Sequence, residues 1–222
     1  MTTMTQETKP DDGDNRGSRP GGSSGVPLPL AETEVTRANF YLMLSQLLFQ
    51  PPSEIILDQV AGMEGDDTDF GAALNELAAS TRERTREQIH AEHESLFVGV
   101  PTAALMPYGS YYLTGSLFGR PLARLRIDMV QLGIARNDKS SEPEDHIGSL
   151  FETIAALILG RFGDGPAAVS AQRVFFEKHV ADWAPRFFAD LEAAENADYY
   201  RHVARVGALF IDIEREAFRM AG

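Results

Sequence analysis

The sequence predicts an all-α fold, one globular domain of about nine or ten helices. Three observations carry that expectation. Apolar residues recur at helical spacing through most of 31–222, no stretch alternates as a half-buried strand would, and no segment repeats at a fixed period, which removes a solenoid. Beyond the first thirty residues about 47 % of side chains are apolar, ordinary for a domain that buries a core.

Residues 1–30 hold five apolar side chains, Met1, Met4, Val26, Leu28 and Leu30, among Gly, Ser, Pro, Asp and Thr. Such a segment buries too little to offset the entropy of ordering it, so a disordered tail is expected there. From Glu32 to Phe49, Val35, Ala38, Leu42, Leu44, Leu47 and Leu48 follow a helical rhythm that Pro51-Pro52 stops. Shorter helices are expected over 54–61 and 69–79. Another runs from about Thr81 to Leu96, with Arg82, Glu83, Arg84, Arg86 and Glu87 on a solvated face. Residues 98–120 carry two Pro and four Gly with no sustained period and read as a long ordered loop or short turns.

A helix resumes over 121–134, with Leu122, Leu125, Met129 and Leu132 inward, and the polar run after it marks a hinge at 135–142. Residues 144–162 form the clearest helix, through Ile147, Leu150, Phe151, Ile154, Leu157 and Ile158, with Ser141 and Glu144 spaced as a capping box. Helices over 166–183, from Pro185 through Leu191, and over 199–218 close the chain. The hinge suggests a monomer whose C-terminal half can exchange between chains as a domain-swapped dimer.

Twenty Lys and Arg against 33 Asp and Glu give a net charge of −13, which disfavours nucleic-acid phosphates and anionic membranes. The absence of cysteine removes disulfides and thiolate chemistry. The longest purely apolar run, 154–159, is far shorter than a membrane span, and no targeting signal opens the chain, so a cytoplasmic protein without stable membrane insertion is expected.

No P-loop, GxGxxG, HExxH or GxSxG motif occurs. Glu87 and His90, with His93 and Glu94, give one Glu-x-x-His spacing; a di-metal bundle needs a second and two further Glu, so a structural role and no metal or cofactor are expected. The run Glu142-Pro143-Glu144-Asp145-His146 sets three carboxylates at a helix start, where they serve as caps. The same carboxylates and imidazole, facing the 98–120 segment, are suited to gripping a cationic peptide. Seven acids and no base over 54–76 would attract such a partner, or merely keep the surface solvated. A hydrolase using Glu142, Asp145 and His146, and a generic helix-binding adaptor, are the competing readings.

The run 142–146 resembles the Glu-Pro-x-Asp-His signature of the TorD/DmsD/NarJ family, cytoplasmic chaperones that mature molybdenum-containing redox enzymes. Leu96-Phe97, Pro107-Tyr108-x-Ser110-x-Tyr112 and Gly119-x-Pro121 resemble a second family run. Phe176, His179, Trp183, Pro185 and Phe187 resemble a helix junction of the family, and Tyr199-Tyr200-Arg201 matches the opening of its last helix. The chain has His93 where some members carry an aromatic residue. The likeness covers roughly 34–218 and implies a TorD-like helical chaperone domain over 31–222 that is not an enzyme. It further implies a partner, the apo form of a molybdoenzyme catalytic subunit with its twin-arginine signal peptide, which the chaperone binds while cofactor is inserted and export delayed. The implied contacts fall on Leu96, Phe97, Pro107, Tyr108, Pro143, Asp145 and His146, and the charge reading adds Glu142.

Overall fold

The computed structural model describes residues 30–98, 103–134 and 142–221; the tail expected over 1–30, but for Leu30, and the hinge expected over 135–142, but for Glu142, lie outside them. Among the described residues the fold is all helical. It comprises α1 (Glu32–Phe49), α2 (Glu54–Ala61), α3 (Asp69–Glu83), α4 (Arg86–Phe97), α5 (Gly109–Thr114), α6 (Gly119–Gln131), α7 (Ile147–Leu159), α8 (Val169–Phe176), a π turn (Glu177–Ala181), α9 (Ala184–Ala193) and α10 (Tyr200–Met220).

The centre is α1 packed along α7, with α10 closing over α1, α3 and α9. Helix α7 is buried nearly all round because its sequence offers almost no polar face. Tyr41 of α1 meets Phe151 of α7 and Phe210 of α10 edge to face, with centroids 5.4 and 4.8 Å apart. Val35, by contrast, is exposed, and Tyr41 and Met43 enter the core on α1 instead.

Several boundaries differ from expectation, the larger ones for local reasons. Helix α3 runs through Thr81, and α4 opens after Thr85, which forms a reciprocal capping box with Gln88 (3.3 and 2.8 Å). The 98–120 segment holds α5, whose six residues are too short to show a period. Helix α7 opens at Ile147 rather than Glu144, and Gly160, at φ 72°, ends it. The stretch expected as one helix over 166–183 is α8 running into the π turn, where the wider winding re-aims Lys178 and His179.

Candidate functional site

The 142–146 run is a bolt between two distant segments. Ile147 N–H donates to the Pro107 carbonyl and Gly109 N–H to the Asp145 carbonyl, both at 2.9 Å, and Tyr108 and His146 form an isolated antiparallel bridge. Asp145 Oδ2 accepts from Ser110 N–H at 2.7 Å, so this carboxylate caps the start of α5. The Tyr108 hydroxyl donates to Glu142; burial, then this bond, pushes its pKa well up and keeps the proton in place. Glu144 Oε2 pairs with Arg126 of α6 at 2.8 Å.

The expected Ser141–Glu144 capping box gives way to His146, whose Nδ1 accepts from Gly148 N–H at 3.0 Å. An accepting Nδ1 places the proton of the neutral ring on Nε2. Burial, and secondarily the neighbouring His93, pushes the pKa of His146 down to about 3, so the ring is neutral at physiological pH. Phe49 and Tyr108 pack edge-on against it at 5.0 and 5.2 Å. His93, neutral through burial with its pKa down to about 4, packs as an aromatic ring would, touching Phe97 (5.0 Å) and Tyr200 (5.7 Å).

Of the residues implicated by sequence, Leu96, Pro107, Asp145 and His146 are buried and Phe97, Tyr108, Glu142 and Pro143 half-buried. Glu142, Asp145 and His146 do not converge as acid and base: one accepts from Tyr108, one caps α5 and one caps α7. Since Asp145 and His146 hold backbone groups, neither can be removed without loss of stability. Among the described residues no three His, Asp or Glu gather as a metal site, and His90 Nε2 instead lies 2.7 Å from the Pro52 carbonyl.

Asp145 also lines a cleft of about 630 Å³ between α5, α6 and the π turn. Its walls combine Leu113, Leu125, Ile127 and Trp183 with Asp128, Asp145 and Asp182 and with Arg120, Arg124, Lys178 and His179. Asp145 Oδ1 is buried with no hydrogen-bond partner among the described residues. Asp128 Oδ2 holds Lys178 (3.1 Å) and His179 (2.9 Å); burial works upward on its carboxyl, but these two bonds outweigh it and hold the pKa below the usual range. Burial lowers the pKa of His179. The cleft is therefore balanced in charge, three acids against Arg120, Arg124 and Lys178, rather than uniformly acidic.

The acids over 54–76 lie elsewhere. Phe70, beside the α2–α3 loop that carries Glu64, Asp66 and Asp67, touches Phe40, nine residues or about 14 Å up α1 from Phe49, which touches His146. Sequence reading also missed Glu92 of α4. Its carboxylate accepts from the N–H groups of Asp198, Tyr199 and Tyr200 at 2.7–2.9 Å and caps α10 from across the fold. Nothing local marks a cap supplied from so far along the chain.

Comparison with known proteins converges on one family. The nitrate reductase delta subunit profile matches residues 63–189, more than half of the chain. The Tat proofreading chaperone DmsD of Haemophilus influenzae is 31% identical over 130 residues, which cover 58% of this chain and 61% of that one. The chaperone protein TorD of Aliivibrio fischeri is 24% identical over 198 residues, 80% of this chain and 92% of its own. A crystal structure of a redox enzyme maturation protein from Archaeoglobus fulgidus shares the fold, with TM-score 0.56 and 22% identity over 85% of this chain and 99% of that one. No helix among the described residues is long and apolar enough to cross a membrane. The chain thus belongs to the nitrate reductase delta subunit family, whose relatives here are named as chaperones and not as enzymes.

Proposed function

We propose that the chain is a cytoplasmic, system-specific chaperone that binds the twin-arginine signal peptide and apo form of a molybdenum-containing oxidoreductase, aiding cofactor insertion and delaying export. The observation that carries this reading is that the signature's own Asp145 forms part of the wall of a cleft holding both carboxylates and apolar surface. A twin-arginine peptide offers two guanidinium groups and an apolar stretch, and both find partners there. The relatives named for Tat proofreading and chaperone work support the same client class.

Because the cleft is charge-balanced, recognition falls to single carboxylates, foremost the exposed Asp182, while the net charge of −13 steers a cationic peptide inward. From the 107–110 and 142–146 segments Gly109, Ser110 and Asp145 line the cleft, while Leu96 accepts from Leu105 N–H at 2.9 Å just ahead of them and Phe97 packs on His93 and Tyr200. Of the eight residues implicated by sequence, Tyr108, Glu142 and Pro143 retain the surface for direct contact with the client, beside half-buried Phe97.

The test is retention of a molybdoenzyme precursor on the immobilised full chain. The precursor with its signal peptide should be retained, and the same precursor with both arginines changed to Gln should be retained at least tenfold less. Equal retention of the two would reject a role for the arginine pair.

A further inference from the structure

The turn between α5 and α6 breaks a local rule. Gly115 (φ 75°), Phe118 (φ 69°) and Gly119 (φ 77°) take positive φ within five residues, and Phe118 is the one non-glycine residue to do so among those described. With ψ −144° it approaches the region that glycine alone occupies freely. Position 118 nevertheless carries a bulky aromatic that is 56% exposed, so packing within the chain returns little for the strain.

The backbone there is firmly held. Phe118 N–H donates to Ser110 Oγ at 3.0 Å, Ser110 is fully buried, and Ser110 N–H in turn donates to Asp145 Oδ2. Ser110 of the cleft wall thereby fixes the turn, which runs between the cleft-lining residues Thr114 and Arg120. Leu113 is 46% and Ile127 58% exposed, so apolar surface borders the same opening that holds Asp145 and Asp182. A turn alone is served better by glycine, so folding does not account for an aromatic here, whereas a ligand that covers the ring does.

We propose that Phe118 is a specificity-determining contact for the client, its ring held out by the strained turn to cover the apolar stretch that accompanies the paired arginines. This rests on the twin-arginine reading given above. The test titrates the full chain, Phe118→Gly and Phe118→Leu with a synthetic twin-arginine peptide, and with the same peptide whose apolar stretch is replaced by Gly and Ser. Phe118→Gly should melt at or above the parent temperature, because glycine adopts this backbone without strain. It should bind the first peptide about 5- to 10-fold more weakly, the loss of one aromatic anchor, and equally so at low and high salt. Phe118→Leu should recover most of that affinity, and the Gly/Ser peptide should not distinguish parent from Phe118→Gly. Undiminished binding by Phe118→Gly, or a melting temperature several degrees below the parent, overturns the proposal. Failure of the parent to bind any twin-arginine peptide strikes instead at the function on which it rests.

Discussion

Glu214→Ala is expected to lower the unfolding free energy by about 3–5 kcal/mol. Glu214 of α10 is buried, and its two oxygens accept from Arg37 Nε of α1 at 2.7 and 2.9 Å. The Tyr41 hydroxyl donates to the same carboxylate at 2.7 Å, and Arg37 Nη1 reaches Glu34 and Gln172, both at 2.9 Å. Burial, then the Glu214 charge, pushes the Tyr41 pKa well up, so the hydroxyl remains a donor throughout. The guanidinium also stands over the Phe218 ring at 4.9 Å. Removing Glu214 leaves Arg37 Nε and the Tyr41 hydroxyl without their acceptor in a largely buried site, which costs more than the pair itself contributes. Urea melts at neutral pH measure it, and a loss under about 1 kcal/mol would mean that water reaches Arg37 readily.

Acid should weaken the fold through His146. Its cap needs a lone pair on Nδ1, and burial holds its pKa at about 3 against an ordinary 6.5. Between those values the unfolded chain takes a proton that the folded chain refuses, so stability rises with pH across that window. The contribution is complete above pH 6.5 and is lost progressively as pH falls toward 3. At pH 5 this group alone costs on the order of 2 kcal/mol, and His93, lowered to about 4, adds in the same sense. His146→Asn keeps an acceptor at the cap without a titrating ring. Its stability should therefore fall less than the parent's between pH 7 and pH 5 in denaturant melts. Parallel profiles would show that the ring is not held neutral.

What the sequence made legible is what repeats locally. The periods over 32–49 and 147–158 place α1 and α7, and those two helices form the centre. What stayed hidden depends on distant partners or on winding. Asp145 meets Ser110 across 35 positions and Glu92 meets Tyr200 across 108, and no periodicity reports either bond. Three carboxylates before a helix read as its caps, yet Asp145 serves a different helix and His146, an uncommon N-cap, serves α7. A π turn leaves no spacing signal of its own, so the wall carrying Lys178 and His179 could not be placed. The motif residues were legible as a group because they share one junction, whereas their burial followed only from the packing around it.

The most direct test of the cleft as the client site is calorimetric titration of the full chain and of Asp182→Asn with a twin-arginine peptide at low and high salt. Asp182 is exposed on the cleft wall, so the substitution should leave the melting temperature unchanged. The account predicts affinity about 3- to 10-fold weaker in Asp182→Asn at low salt, with the difference shrinking as salt screens the pair. Equal affinity of parent and variant at low salt would contradict it and move the arginine site off this cleft.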